Sequence, residues 1–143
     1  MLDGYEIEIV VEYRRNGENS MFNIREMKAE DKAVIMPMVI TFYHSPAVEH
    51  DVDTAVLERT FDAATDPTMP YISGLVMLED EKVVGYGYVT GYYASEVGGM
   101  CMFMEEMYFT PECRGKGYGN KSLSLDCGPL SGIQAFQNRS HRK

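Results

Sequence analysis

Apolar and polar positions alternate along residues 5–13, with Ile7, Ile9, Val11 and Tyr13 on one face and Glu6, Glu8 and Glu12 mostly on the other. That period of two predicts a half-buried or edge strand. Arg14-Arg15-Asn16-Gly17 follows as an Asn-Gly turn signal and allows a hairpin into Met21 to Met27. The pattern then changes to helical spacing. Glu30-Asp31 offers an N-cap and favourable first-turn charge, and Val34, Ile35, Met38, Val39 and Phe42 form the apolar stripe of a first helix, with Pro37 either early enough to be tolerated or placing a kink. After a proline-broken polar segment, Asp53 can cap a second helix with an inner face of Val56 or Leu57, Phe61 and Ala64, ended by Asp66-Pro67. From Tyr71 the chain returns to strands. Ile72 to Leu78, an acidic turn at Glu79 to Lys82, Val83 to Tyr93, a Gly98-Gly99 turn and Met100 to Phe109 predict a three-strand antiparallel meander.

The last of these strands runs through Pro111 into Arg114-Gly115-Lys116-Gly117-Tyr118-Gly119. Glycines at alternate positions remove Cβ atoms, so successive backbone N–H groups can turn toward one anion. Arg114, Lys116 and a helix start would add positive potential. The competing reading is a glycine-rich turn with solvated basic residues. Beyond it, Asn120 to Asp126 holds about two helical turns before Gly128-Pro129 stops it, and Leu130 to Lys143 shows no strand alternation.

Composition narrows the classes. The 143 residues suit one domain, and the three cysteines, Cys101, Cys113 and Cys127, lack the spacing of a zinc site or a disulfide framework, so free thiols are expected. No apolar run approaches ~18 residues and no signal-peptide pattern is present, which predicts a cytoplasmic protein without a membrane partner. The net charge of −9 is unevenly spread: residues 1–111 carry 7 basic and 20 acidic side chains, residues 112–143 carry 6 and 2. Such an acidic body would repel nucleic acid and attract a cationic amine, while positive charge gathers at the glycine loop. His44 and His50 have no partner at metal-ligand spacing, so no metal is expected.

The strand and loop together resemble motif A of the GNAT family of N-acetyltransferases. Its pattern, Arg/Gln-x-x-Gly-x-Gly/Ala, is met by Arg114, Gly117 and Gly119 after a strand and before a helix. Glu105-Glu106-Met107-Tyr108 followed by Pro111-Glu112 is similar to the Leu-Glu-Asp-aromatic run of the diamine and thialysine acetyltransferase branch. The resemblance implies a mixed α/β fold with a largely antiparallel sheet flanked by helices, and acetyl-CoA as co-substrate. It covers residues 21–121. Residues 1–20 are then an extension, either an added edge strand or a loosely ordered tail. Residues 122–143 are an atypical tail where the family has a fifth strand, a fourth helix and two more strands, as truncation or a frameshift would leave it.

By the same resemblance the motif strand carries a bulge. Met107, Tyr108 and Phe109 fall on the positions that pair with pantetheine, and Arg114, Gly115, Lys116, Gly117, Tyr118, Gly119 and Asn120 on those that hold the pyrophosphate. The loop between the first two helices lines the acceptor mouth, which makes Tyr43, His44 and Glu49 candidate substrate contacts. Surface or loop-stabilising roles are the plainer reading of the histidines.

Acetyl transfer to an amine needs a base for the nitrogen, polarisation of the thioester carbonyl and an acid for the thiolate. Glu105 and Glu106 point to opposite faces of the strand. Glu105 matches the acidic residue that binds or deprotonates the amine in the diamine branch, with Glu106 second; ordinary strand carboxylates are the alternative. The family's acid is commonly a tyrosine on the fourth helix, and Tyr92, Tyr108 and Tyr118 do not occupy that position.

A dinucleotide-binding Rossmann loop would need G-x-G-x-x-G, and a P-loop would need Gly-Lys-Ser/Thr, whereas Asn120 separates Gly119 from Lys121. The expected activity is N-acetylation of a small cationic amine. The alternative is an impaired remnant that binds CoA weakly or self-associates, as a homodimer or otherwise, through an exposed edge along Met100 to Phe109.

Overall fold

The computed structural model describes residues 13–14, 20–118 and 134–136. A six-stranded sheet runs in sequence order: β1 (Tyr13–Arg14), β2 (Met21–Glu26), β3 (Ile72–Glu79), β4 (Lys82–Ala94), β5 (Gly99–Phe109) and β6 (Gln134–Phe136). Neighbours are antiparallel from β1 to β5, and β6 lies parallel to β5. Two helices, α1 (Lys32–Tyr43) and α2 (Thr54–Thr65), fall between β2 and β3.

Tyr13 and Arg14 pair antiparallel with Phe22 and Met21; residues 1–12 and 15–19, the Asn-Gly signal among them, lie outside the described part. The meander falls within one residue of the apolar pattern at each end. Its first turn places Asp80 and Glu81 at φ of 48° and 68°, left-handed backbone that usually calls for Gly or Asn. The strain is offset locally. The Asp80 carboxylate accepts a hydrogen bond from the Met21 N–H at 2.8 Å, and the Asp80 N–H donates to the Met21 carbonyl at 3.0 Å, which ties the turn to β2.

At the other end of β2, Arg25 forms a two-pronged ion pair with Asp31 at 2.8 and 2.7 Å, and the Asp31 carboxylate also accepts from the Lys28 N–H at 2.8 Å. One carboxylate thereby anchors the strand and opens the 3-10 turn (Ala29–Asp31) that leads into α1.

Helix α1 continues through Pro37, whose carbonyl accepts from the Thr41 hydroxyl at 2.8 Å. Its buried face is Ile35, Met36 and Val39, with Met38 and Phe42 half-buried beside it. Val34, read from sequence as part of that stripe, is 48% exposed, because the apolar run is wider than the face one sheet can cover. In α2, Asp53 accepts from the Ala55 N–H at 3.1 Å as the expected cap, and Leu57 rather than Val56 joins Phe61 and Ala64 inside.

The sheet separates two cores. On one face α1 and α2 pack on Val76, Leu78, Tyr86, Tyr88 and Tyr108. On the other, Phe22, Ile24, Leu75, Met77, Val84, Val89, Met102 and Met104 are covered by Cys113 and Tyr118 from the segment after β5. Among the described residues the cover on that second face comes from the turn after β5 and from the glycine loop.

Of the C-terminal tail, residues 134–136 are described: Gln134, Ala135 and Phe136 pair with Cys101, Met102 and Phe103 as a short parallel strand, in a stretch whose sequence shows no strand alternation because three residues are too few for it to register.

Candidate active site

The centre of the site is an interruption in the β4–β5 ladder. Tyr88 pairs with Glu106 and Val89 with Met104, which leaves Glu105 as the extra residue of a β-bulge. A bulge shifts the side-chain parity by one. Met102 and Met104 accordingly lie in the core beneath the glycine loop, whereas Glu106 and Tyr108 lie on the helix side with Tyr86 and Tyr88. Glu105 is exposed, and Glu106 is 8% exposed.

A buried carboxylate is tolerable only when its lone pairs are occupied. Tyr43, the last residue of α1 and 63 positions away in sequence, donates to Glu106 Oε1 at 2.8 Å. Tyr86, one strand over, donates to Oε2 at 2.6 Å. Burial still holds the Glu106 carboxyl above the ordinary carboxylate range; the bonds from Tyr86 and Tyr43 pull it back down, and neighbouring Glu105 pushes it up. Burial and the same carboxylate raise the phenols of Tyr43 and Tyr86. The buried Tyr88 hydroxyl beside them has no hydrogen-bond partner among the described residues.

Of the residues named from sequence for the acceptor side, Tyr43 joins the carboxylate pair. His44 caps the end of α1, its N–H donating to Ile40 O at 3.1 Å, and is exposed, as is Glu49. Tyr86 and Tyr88 escaped the sequence reading. Their signal was the Tyr-x-Tyr spacing in a strand, which puts two phenols on one face, but the register that sets them against Glu106 depends on the bulge.

The edge of β5 that faces away from β4 is paired with β6 at 101–103 only, and among the described residues no strand pairs with Met104 to Phe109 on that side. Met107 and Phe109 are half-buried against the loop-side core, and Tyr108 is buried. Among the described residues the expected exposed edge is thus shorter than Met100 to Phe109, paired at 101–103 and without a strand partner from the bulge onward.

A 3-10 turn (Pro111–Cys113) carries the chain off this edge. Arg114 Nε donates to the Phe109 carbonyl at 3.1 Å, and its guanidinium lies 5.5 Å from the Tyr108 ring centre. Gly115 and Gly117 have φ of 78° and 82°, the left-handed region that glycine enters freely, so here the glycines are demanded by the backbone. Lys116 points its ammonium at Glu79, 3.0 Å away, and the Tyr118 hydroxyl donates to the same carboxylate at 2.5 Å. Those bonds hold Glu79 below the usual carboxylate range, Tyr118 contributing most. Tyr118 is 2% exposed and stacks on Phe22 with ring centres 4.2 Å apart, so its side chain is core. Gly119 and Asn120 lie outside the described residues.

No group of three or more His, Cys, Asp or Glu able to hold a metal occurs among the described residues. No described helix is long and apolar enough to cross a membrane.

The profile of the Acetyltransferase (GNAT) family matches residues 36–125, more than half of the chain, from α1 through the glycine loop. The chain belongs to the GNAT family. Solved structures repeat the fold. An integron cassette protein from the mobile metagenome of Cole Harbour Salt Marsh is 25% identical with a TM-score of 0.60, over 70% of this chain and 64% of its own. A possible acetyltransferase from Clostridium difficile 630 is 19% identical with a TM-score of 0.61, over 84% and 82%. A predicted acetyltransferase from Clostridium acetobutylicum, solved with acetyl-CoA, is 17% identical with a TM-score of 0.57, over 72% and 69%. The GNAT chain described here thus spans less than two thirds of the salt-marsh protein. No curated protein matches it.

Proposed function

We propose that this GNAT chain transfers acetyl from acetyl-CoA to the primary amine of a small cationic molecule. The observation that carries the reading is the bulge at Glu105 in a β5 strand whose far edge has no described strand partner from Met104 to Phe109, directly ahead of a turn held left-handed at Gly115 and Gly117. Acetyl-CoA supplies the activated thioester. Backbone groups of Met107, Tyr108 and Phe109 pair with its pantetheine arm, and backbone N–H groups of the turn from Arg114 to Asn120 receive its pyrophosphate. N–H groups near the bulge polarise the thioester carbonyl.

Glu105 is exposed at the bulge and takes the role of amine anchor and proton acceptor. The amine nitrogen forms its bond to the carbonyl carbon and gives up a proton toward Glu105, the C–S bond breaks as the thiolate leaves, and the thiolate takes up a proton from Glu105 or solvent that balances the one the amine lost. Glu106 lies next to it, tied to Tyr43, so the end of α1 and the segment with His44 and Glu49 are held beside the reacting strand as the acceptor mouth. The 20 acidic against 7 basic side chains of residues 1–111 favour a cationic acceptor such as a polyamine, a lysine-like or an aminoglycoside-like molecule. The free thiols of Cys101 and Cys113 fit a reducing, cytoplasmic setting.

A second reading keeps the fold and drops the turnover: a fragment that binds CoA weakly and self-associates. The stretch of β5 edge without a described strand partner favours it, since such backbone groups are a template for another strand. Release of CoA thiol across a panel of polyamines, lysine analogues, aminoglycosides and acidic or neutral amines separates the two. Turnover confined to cationic acceptors supports the transferase, a preference for acidic or neutral ones overturns the charge argument, and no turnover with any amine favours the fragment.

A further inference from the structure

Lys116 stands inside the glycine turn, between Gly115 and Gly117, and its charge invites a role as a phosphate ligand. Its geometry points elsewhere. The ammonium is 3.0 Å from Glu79 at the end of β3, 37 positions away, and the same carboxylate accepts from the Tyr118 hydroxyl at 2.5 Å. Glu79 therefore grips the turn on both sides of Gly117, the residue with φ of 82°. The two side chains of the ion pair are 25% and 19% exposed, so neither is a freely solvated surface group. Tyr118 is fixed further by its stack on Phe22 of β2.

A turn built on two left-handed glycines has little intrinsic preference for one shape, because glycine loses more freedom on ordering than other residues. Some external contact must select the shape in which its N–H groups converge. The carboxylate that could do this is also an anion placed among the turn's side chains, where it would compete with a phosphate for Lys116 if Lys116 were the ligand.

We infer that Glu79, Lys116 and Tyr118 form a latch that fixes the phosphate turn, so that Lys116 and Glu79 are positioning residues for acetyl-CoA and the anion is held by backbone N–H groups. The inference deepens the acetyl-CoA reading and rests on it. It predicts that neutralising either end of the ion pair loosens the turn in the same direction. The rival arrangement, with Lys116 as ligand and Glu79 as competitor, predicts opposite signs.

The test is a double-mutant cycle of Glu79→Gln, Lys116→Gln and the pair, read by calorimetric titration with acetyl-CoA and by thermal melting of the free chain. The latch predicts that each single change raises Kd for acetyl-CoA about three- to thirtyfold and that the pair is no worse than either, as groups acting through one contact are non-additive. KM for the amine should stay unchanged in Glu79→Gln. Tighter or unaltered acetyl-CoA binding by Glu79→Gln overturns the latch, and so do additive losses. Glutamine can still accept from Tyr118, so Glu79→Gln should fold; if it melts early, Lys116→Met, which keeps the aliphatic stem, carries the same prediction for Kd. An unaltered chain that fails to bind acetyl-CoA sinks the acyl-CoA reading itself, a result distinct from a binding chain whose variants disobey the signs above.

Discussion

Replacing Tyr43 by Phe removes one hydroxyl from the bond that joins α1 to β5. In the folded chain that hydroxyl lies 2.8 Å from Glu106 Oε1, and the carboxylate keeps its 2.6 Å bond from Tyr86. A hydrogen bond to a charged group contributes about 1.5–3 kcal/mol, and a buried acceptor stripped of its donor costs a similar amount. Tyr43→Phe should therefore destabilise by about 1.5–3 kcal/mol at neutral pH, and a cycle with Glu106→Gln should show most of that as coupling.

The pH dependence follows from the sign of the Glu106 shift. Burial raises its pKa, so the folded chain holds that proton more tightly than the unfolded one; this part of the stability is complete below the ordinary carboxylate pKa and declines as pH rises through the folded value. Tyr43 is one of the two groups opposing the rise. Without it the decline steepens, and the penalty of Tyr43→Phe grows from mildly acidic to neutral pH. Urea unfolding of the four cycle members across that range measures it. A penalty that is flat with pH, or a coupling below about 0.3–0.5 kcal/mol, refutes the buried three-element bridge.

Glu105→Gln should lower kcat/KM for the amine by roughly 10²–10⁴ with acetyl-CoA affinity nearly unchanged, as measured by thiol release and titration; an unaltered rate removes Glu105 from the chemistry. Gly85→Ala should both destabilise the fold, by about 1–3 kcal/mol, and weaken acetyl-CoA binding. A Cβ there would sit 2.3 Å from the Tyr108 carbonyl oxygen and 2.9 Å from the Phe109 ring, pushing against the strand that should hold pantetheine. Gly98→Ala is the control: its φ of 69° makes it strained, but nothing lies within 4 Å, so melting should fall without a change in acetyl-CoA affinity. Equal effects of the two on binding would show that the Gly85 contact has no bearing on the cofactor strand.

Local signals served the sequence reading well where a single element decides its own form. The strands of the meander and the Asp53 cap follow from period and side-chain reach. The site was less legible because its decisive contacts join distant positions. Nothing in Glu105-Glu106 as a pair says which side chain turns inward; the bulge decides that, and the partners of Glu106 come from α1 and β4. Lys116 reads as a loose cation until Glu79 is brought against it by β3. Tyr118 reads as a loop residue, yet the loop is the cover of a core. Val34 failed for a simpler reason, and the choice between Val56 and Leu57 stayed open for the same one, since an apolar run broader than its contact leaves the choice of face to packing.

The central claim is that the open β5 edge and the glycine turn form one acetyl-CoA site, and calorimetric titration of the 143-residue chain with acetyl-CoA tests it most directly. Saturable one-to-one binding in the micromolar range, about −8 kcal/mol, with a clearly weaker response to inorganic pyrophosphate alone, is the predicted result, because strand pairing and turn contacts should both contribute. No binding at millimolar acetyl-CoA, or equal affinity for pyrophosphate and the full molecule, would contradict it.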